Sequence, residues 1–322
     1  EFFYSRNYTI LRGKYIMCGF LVVGNEEFKL EVFNDALDQA AYRGPDHQHV
    51  SIKEGITWGF NRLSIMDLSS KGNQPFAYKD CVLVCNGEIY NYPDLKIMLE
   101  KEYTFKSGSD CEILIPLYKK YGLEIMCKFL DAEFALVIYD NEKKEIMAAR
   151  DSMGIRPMFY GYSKVDGKIC FASEAKSLFS LCEDIMPFPP GHYYKEGKFI
   201  CYNDLSDPKI INNDDLDTIA IKLKTKLESA VKKRFMSDAP IGYLLSGGLD
   251  SSLVCAIASK LNDKPIRTFA IGMESDPIDL KYAKQVADYL GTEHTEVIIT
   301  KQDLLNNLRE VIFHLETYDI TT

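Results

Sequence analysis

The N-terminal part of the chain alternates short apolar segments with turn-forming residues. This pattern predicts strands in apolar segments at 18–23, 56–66, 81–87, 134–140, 145–151, 158–162 and 168–173. Apolar positions at helical spacing predict helices at 28–42, 92–103 and 111–122. Clustered strands with interspersed helices are typical of a layered α+β domain.

A polar segment with proline and several acidic residues, 203–217, separates this region from a different pattern. Beyond it, predicted helices at 216–236, 251–261, 280–291 and 301–316 alternate with predicted strands at 241–245, 266–272 and 295–299. Such alternation is typical of a parallel, Rossmann-like α/β sheet. We therefore divide the chain into an upstream extension or propeptide at 1–17, a first domain at 18–203 and a second domain at 204–322.

Composition narrows the class of protein. At 322 residues with 46% apolar residues, the chain is long enough for two globular domains. Its net charge of −9 argues against nucleic acid as a partner. No apolar run approaches the ~18 residues of a membrane span, so no membrane association is predicted. Nine cysteines at scattered, mostly apolar positions predict reduced, buried thiols in the cytoplasm, and Cys81 and Cys85 lack the second ligand pair of a zinc site.

The segment LLSGGLDSS, residues 244–252, lies where a predicted strand meets a predicted helix. Ser246, Gly247 and Gly248 would let backbone amides approach an anion, and the helix N-terminus adds a favourable dipole. Asp250 could hold a divalent metal ion such as Mg²⁺ against phosphates. A serine-capped turn without any ligand explains the glycines equally well. The complete string S-G-G-x-D-S, however, resembles the pyrophosphate-binding loop of the ATP pyrophosphatase family, which implies cleavage of ATP to AMP and pyrophosphate.

Met-Cys-Gly stands at residues 17–19, directly before an apolar segment. A cysteine that is the first residue of a mature chain carries its own base, because its α-amine has a pKa of about 7.7 to 8.0 and can accept the thiol proton. None of the five histidines stands in an obvious cysteine–histidine arrangement. Cys18 is therefore a candidate nucleophile, and a buried strand thiol is the alternative interpretation.

Downstream residues offer the groups that hydrolysis of glutamine requires. Arg62 could bind a carboxylate through its planar guanidinium, and Asp110 could bind an α-ammonium group. The side-chain amide of Asn86 and the backbone N–H of Gly87 could stabilise an oxyanion. Each group also has a structural alternative: a surface ion pair for Arg62, a helix cap for Asp110, and a turn for the Asn-Gly pair.

These residues lie in a longer series of motifs that resembles the glutamine-hydrolysing asparagine synthetases. The motifs are MCG (17–19), YRGPD (42–46), RLSIMD (62–67), NGEIYN (86–91), SGSDCE (107–112), RDSMGIRPMFYG (150–161), ASEAKSL (172–178), PPGHYY (189–194), SGGLDS (246–251) and HLETYDITT (314–322). The resemblance runs from residue 18 to residue 322. It implies a four-layer αββα glutaminase domain with an N-terminal nucleophile, followed by a parallel α/β domain with a pyrophosphate loop. It also implies that Glu88 contributes to glutamine binding and that Leu244, Ser251 and Ile271 contact the nucleotide.

By this resemblance, Cys18 in the first domain releases ammonia from glutamine. The second domain forms β-aspartyl-AMP and pyrophosphate from aspartate and Mg-ATP. Ammonia then converts this intermediate to asparagine and AMP, and glutamate is the other product of the first domain. The complete enzyme is expected to be a cytoplasmic homodimer. Two alternatives stay open: an amidotransferase with another carboxylate acceptor, as in the β-lactam synthetases, and a truncated or degenerate relative with glutaminase activity only or a non-catalytic binding role.

Three features depart from the family pattern. Sixteen residues precede Met17, and an amide on the Cys18 nitrogen would remove the base, so we expect translation to start at Met17 or a propeptide to be cleaved. The second domain is expected to be incomplete at Thr322, with a second acidic motif and a catalytic lysine beyond it, so residues 1–322 alone should not make asparagine. Tyr42 stands where many relatives have histidine, and we expect this to leave the nucleophile unaffected.

Overall fold

The computed structural model of the protein describes residues 17–24, 29–207, 211–275 and 277–316. The chain divides into two compact units, residues 1–209 and residues 210–322, and each is described by itself. The extension at 1–16 and the end of the last motif, 317–322, lie outside the described residues. The predicted domain boundary at 203/204 stays a prediction.

The first unit contains two six-stranded sheets. Their strands, in chain order, are β1 (Gly19–Val23), β2 (His47–Lys53), β3 (Ile56–Arg62), β4 (Phe76–Tyr78), β5 (Cys81–Ile89), β6 (Ala132–Asp140), β7 (Glu145–Arg150), β8 (Phe159–Ser163), β9 (Ile169–Ala172), β10 (Cys182–Pro187), β11 (His192–Lys195) and β12 (Lys198–Cys201). One sheet has the order β10-β8-β9-β1-β3-β2 and the other β12-β11-β7-β6-β5-β4. All of the strand pairs in both sheets are antiparallel.

The two sheets pack face to face over a shared apolar core. Phe20, Val22 and Trp58 from the first sheet belong to the same buried cluster as Val84 and Val137 from the second. Because successive side chains on a strand point to opposite faces, the other residues of β1 point away from this core. Leu21 and Val23 accordingly pack with residues of the first helix, so a helix covers the outer face of the first sheet.

Helices complete the outer layers of the first unit. They are α1 (Leu30–Asp38), α2 (Tyr92–Leu99), α3 (Leu114–Tyr121) and α4 (Leu123–Phe129). Helix α1 buries Phe33 and Leu37, and α3 packs its apolar face against β5 of the second sheet. The layers are therefore helix, sheet, sheet and helix, and the predicted αββα class is confirmed.

The second unit contains four helices and a three-stranded parallel sheet within its described residues. They follow in the order α5 (Leu216–Lys233), β13 (Tyr243–Leu244), α6 (Leu249–Leu261), β14 (Arg267–Met273), α7 (Ile278–Leu290), β15 (Glu293–Ile299) and α8 (Lys301–Leu315). Strand β14 lies between β13 and β15 and pairs in parallel with both. The predicted α/β class of this unit is confirmed.

The structure contains several short or polar strands, and one short helix, that the sequence pattern did not predict. The apolar pattern did not identify five strands and one helix: β2, β4, β10, β11, β12 and α4. Strand β2 is half polar because it forms a sheet edge, where few side chains are buried. One cysteine also departs from prediction, because Cys201 lies exposed on β12, the edge of the other sheet. Among the described residues, no helix combines the length and apolarity needed to span a bilayer.

Candidate active site

Cys18 lies directly before β1, at one end of the first sheet. Its Sγ accepts a hydrogen bond from the backbone nitrogen of Leu63 at 3.3 Å and lies 3.4 Å from the carbonyl oxygen of the same residue. The Cys18 carbonyl accepts a hydrogen bond of 3.0 Å from Nε of Arg43. Burial raises the pKa of the thiol to about 12, against the opposing effect of the Leu63 amide. Formation of a thiolate here therefore requires a dedicated base.

Asn86 and Gly87 lie within β5 of the second sheet rather than in a turn, which corrects the structural alternative considered for them. Asn86 is fully buried, and neither its side-chain oxygen nor its nitrogen has a hydrogen-bond partner among the described residues. A Cβ on Gly87 would lie 2.7 Å from the carbonyl oxygen of Glu133 on β6, so only glycine fits this close approach. An unpaired amide in a buried position is typical of a group kept for a ligand.

Two acidic side chains come close together here: Glu88, which lies on β5 and is half-buried, and Asp110, which is buried. Asp110 begins a 3₁₀ turn after Ser109 and accepts a hydrogen bond of 2.7 Å from the Ile89 nitrogen. Burial raises the pKa of Asp110 to about 6. Burial, and next the negative charge of Asp110, raise the pKa of Glu88 to about 8. Two carboxyl groups so placed favour a bound cation, which restores the ionised form of both.

The charge of Glu88 reaches the Cys18 thiol, and so does that of Arg62. Glu88 contributes to raising the thiol pKa, and Arg62 contributes to lowering it. The structure thus brings Cys18, Arg62 and Glu88 together, and the charge of Asp110 acts in turn on Glu88. These predicted site residues come from both sheets, at one end of the sandwich.

Arg62 is buried rather than part of a surface ion pair. Its Nη1 donates to the carbonyl of Ser69 and the side chain of Asn73, both at 2.7 Å. Its Nη2 donates to the carbonyls of Met66, at 3.3 Å, and Asp67. All four terminal N–H groups are directed to protein acceptors, so a substrate carboxylate would have to displace one of them or bind Nε.

Residues that sequence reasoning gave no role surround the nucleophile. Arg43 contacts Cys18 directly and forms a buried ion pair of 2.8 Å with Glu174. Leu63 contributes only backbone atoms, so no side-chain pattern could reveal it. Arg43 and Glu174 lie within motifs singled out above, YRGPD and ASEAKSL, and their presence there was the only available signal.

The predicted phosphate loop lies between β13 and α6 of the second unit. Ser246 Oγ lies 3.0 Å from Ser251 Oγ, and Gly248 donates its backbone N–H to Ser246 Oγ at 3.4 Å. Gly247 has a φ of +78°, and a Cβ there would lie 2.6 Å from the nitrogen of Ala283. No side chain caps the N-terminus of α6. The first turn of this helix therefore offers backbone N–H groups to an anion.

Three further residues predicted to contact the nucleotide or its metal ion are exposed. Asp250 lies in the first turn of α6, and large fractions of Leu244 and Ile271, 83% and 62%, are exposed. Among the described residues, Asp250 belongs to no group of three close carboxylate, cysteine or histidine side chains. The group that does occur is Asp80, Cys81 and Asp140 in the first unit, and Lys119 Nζ lies 3.0 Å from Oδ2 of Asp80 within it.

Two family models match the chain. The glutamine amidotransferase domain matches residues 17–193, and asparagine synthase matches residues 222–322. The chain is 40% identical over 324 residues to asparagine synthetase [glutamine-hydrolyzing] 3 of Arabidopsis thaliana, covering 95% of this chain and 55% of that protein. It is 38% identical over 300 residues to asparagine synthetase B [glutamine-hydrolyzing] of Escherichia coli strain K12, covering 87% of this chain and 53% of that protein.

A solved structure of the allosteric regulatory enzyme of purine biosynthesis has the same type of fold. Its TM-score is 0.50 at 13% identity, over 88% of this chain and 80% of that one, so it supports the fold alone. The αββα fold and the family match over residues 17–193 define the first unit as a glutamine amidotransferase domain. The chain belongs to the glutamine amidotransferase domain family, and its second unit matches the asparagine synthase family. It spans about half the length of the curated relatives it matches.

Proposed function

We propose that the protein carries out the glutamine-dependent synthesis of asparagine, with ammonia released in the first unit and aspartate activated in the second. The observation that carries this proposal is the position of Cys18. Its thiol lies against the Leu63 amide, under the charge of Arg62 and Glu88, and packs against the inter-sheet core. The unpartnered buried amide of Asn86, two residues after Val84 on β5, faces the same core. These groups match the parts of a glutamine molecule that must be bound or attacked.

Glutamine hydrolysis starts with the transfer of the Cys18 thiol proton to its own α-amine, which requires Cys18 to be the first residue of the active chain. The thiolate attacks the side-chain amide carbon, and the oxyanion that forms accepts hydrogen bonds from the Asn86 amide and the Gly87 N–H. The nitrogen takes the proton and leaves as ammonia. Water then cleaves the thioester, which gives glutamate and restores the thiol.

The substrate's charged groups would be held by buried partners. Asp110 and Glu88 bind the α-ammonium, which compensates for the cost of burying two carboxylates. Arg62 binds the α-carboxylate after one of its loop carbonyls is released. Because Arg62 is already fixed by four acceptors, its orientation is set before substrate arrives.

In the second unit, the loop formed by Ser246, Gly247 and Gly248 binds the β- and γ-phosphates of ATP, together with Ser251. Leu244 and Ile271 offer an exposed apolar surface to the adenine base. Attack of an aspartate carboxylate on the α-phosphate gives β-aspartyl-AMP and pyrophosphate. Mg²⁺ would neutralise charge on the pyrophosphate, and Asp250 fits it as a single carboxylate ligand beside phosphate oxygens. Glutamine, aspartate and ATP are thus the partners, in a cytoplasmic homodimer without nucleic acid or membrane association.

The test is a glutaminase assay on the chain that begins at Cys18, with glutamate and ammonia measured separately. The proposal predicts equal amounts of both products and no activity in the Cys18→Ala variant. Synthesis is tested on the full-length protein by release of pyrophosphate with aspartate compared with other carboxylic acids. Pyrophosphate release that depends on a different acid would favour the alternative acceptor. Equal rates of glutamate formation from glutamine in the wild type and in Cys18→Ala would contradict the assignment of Cys18.

A further inference from the structure

A buried polar network is joined to the nucleophile through the hydrogen bond from Arg43 to the Cys18 carbonyl. Glu174 is the centre of this network, and only 3% of the residue is exposed. Oε1 accepts hydrogen bonds from Nη1 of Arg43, at 2.8 Å, and from the hydroxyl of Tyr42. Oε2 is paired with Nζ of Lys176, which also donates to the Tyr42 hydroxyl at 3.2 Å.

We propose that Tyr42, Glu174 and Lys176 are positioning residues for Cys18, acting through Arg43, and this proposal rests on the glutaminase function proposed above. The connection is continuous. The guanidinium that Glu174 holds through Nη1 donates from Nε to the Cys18 carbonyl at 3.0 Å. Because a guanidinium is rigid and planar, fixing one edge fixes the direction of the other donor.

The packing around Arg43 leaves it little freedom. A Cβ on Gly19 would lie 3.1 Å from Cδ of Arg43, so the side chain crosses directly over the first residue of β1. Arg43 and Lys176 are 4% and 7% exposed, so solvent and salt screen these charges weakly. The network ties the 3₁₀ turn Ala41–Arg43 to the segment after β9.

A second contact fixes the same strand from the same segment. Ser173, which precedes Glu174, donates its N–H to the Phe20 carbonyl and accepts the Phe20 N–H on its Oγ, both at 3.0 Å. Residues 173 and 174 therefore hold Phe20 through the backbone and Cys18 through Arg43. The start of β1 is fixed at two successive points.

The fixed position of Cys18 matters because Cys18 is the proposed nucleophile. A residue at the very start of a chain has no preceding peptide to restrain its rotation, so the contacts at its carbonyl add to those that Leu63 makes with the thiol. The Arg43 bond supplies an anchor at that carbonyl. Misplacement of reacting groups by ~1 Å can cost as much as ~100-fold in rate. Tyr42 makes none of these contacts with Cys18 itself, and its role is to hold Glu174 and Lys176 in place.

The test compares Glu174→Gln and Tyr42→Phe with the wild type, all beginning at Cys18. Tyr118→Phe is the matched control, because Tyr118 on α3 donates to Asp140 at 2.7 Å and accepts from Lys143 at 2.9 Å. The measurements are kcat and KM for glutamine hydrolysis, melting temperature, and the rate of Cys18 alkylation by iodoacetamide as a function of pH.

We expect kcat to fall about 10- to 100-fold in Glu174→Gln and about 3- to 10-fold in Tyr42→Phe, with KM changed less than about 2-fold. Tyr42→His should keep most of the wild-type kcat that Tyr42→Phe loses, because an imidazole N–H can donate to the Glu174 carboxylate. Tyr118→Phe should lower the melting temperature and keep kcat. If Glu174→Gln does not fold, the Tyr42 variants decide the question alone.

Lower melting temperatures with unchanged kcat in the Tyr42 and Glu174 variants would show a merely structural network and overturn the proposal. Alkylation separates this failure from failure of the glutaminase function, because iodoacetamide needs no glutamine. A wild type without glutaminase activity whose alkylation profile shifts in Glu174→Gln would refute the function and support the positioning role. An unshifted profile would refute the positioning role.

Discussion

The backbone nitrogen of Leu63 lies 3.3 Å from the Sγ of Cys18 and donates a hydrogen bond to it. Gly19 on β1 lies opposite Asn61 on β3, so the antiparallel register places Cys18 opposite Arg62 and next to Leu63. The position of the thiol is therefore set by strand register rather than by a side chain. A backbone donor at this sulfur favours a thiolate once a base has removed the proton.

The first prediction concerns the amine of Cys18. A chain that retains residues 1–17 should hydrolyse glutamine at least about 100-fold more slowly than a chain that begins at Cys18, because the amide nitrogen cannot serve as a base. Steady-state glutaminase rates of the two purified forms, with their N-termini established by mass spectrometry, provide the measurement. Equal rates would show that some other group takes the thiol proton.

The second prediction separates catalysis from stability at Asn86. Asn86→Ala should lower kcat about 100- to 1,000-fold, as expected on removal of an oxyanion donor. Its free energy of unfolding should stay within about 1 kcal/mol of the wild type, because the amide has no partner to lose.

Asn61 is the matched control for Asn86. It is also fully buried, but its side chain donates to the Leu37 carbonyl at 3.2 Å and accepts from Gln48 at 3.0 Å. Asn61→Ala should therefore cost about 1–3 kcal/mol in denaturant unfolding. Similar destabilisation in both variants would argue against a group reserved for a ligand.

The third prediction is a pH dependence of stability that arises from Glu88. Burial and the charge of Asp110 raise its pKa from 4.5 to about 8 in the folded protein. The folded state therefore binds the proton more tightly. The resulting stability is present in full below about pH 4.5 and is lost as the pH rises through about 8.

Glu88→Gln imitates the protonated form at every pH. Its melting temperature should be close to that of the wild type near the acid end and exceed it increasingly towards about pH 9, in the absence of glutamine. Thermal unfolding over this pH range is the measurement. A variant that is less stable than the wild type at all pH values would show that Glu88 is ionised and satisfied in the folded protein.

The fourth prediction concerns the glycine of the phosphate loop. In the full-length protein, Gly247→Ala should destabilise the second unit and abolish ATP-dependent release of pyrophosphate, because a Cβ would lie 2.5 Å from Cβ of Tyr282. Gly291→Ala is the control. It has a similar φ of +66° but nothing within 4 Å, so it should cost only the backbone strain of about 1 kcal/mol. The free energies of unfolding of the two variants provide the measurement. Equal losses in both would show that the contact of residue 247 with Tyr282 does not matter.

The sequence predicted the two fold classes because long apolar strands such as β5 and β6 are buried on both faces. The edge strands β2 and β12 escaped prediction, because none of their side chains is fully buried and their sequences lack a clear apolar pattern. At the candidate site, Cys18, Asn86 and Asp110 were predicted from their chemistry and their motifs, and their roles stay predictions. Leu63 did not, because its contribution is a backbone atom.

The network around Glu174 illustrates a second limit. Arg43 and Glu174 are 131 residues apart in the chain, and their pairing depends on how the strand before Glu174 aligns with β1. The sequence contains both motifs but not the register that joins them. Burial of Arg62 is similar, since its four acceptors lie in a loop whose path no local pattern specifies.

The central claim is that Cys18 is the nucleophile of a glutamine-hydrolysing site. The most direct measurement is the mass of peptides from the protein beginning at Cys18 after reaction with a diazoketone analogue of glutamine. The account predicts one equivalent of label, located on Cys18, with protection by excess glutamine and loss of glutaminase activity in proportion to labelling. Label on another thiol such as the exposed Cys201, or none at all, would contradict it.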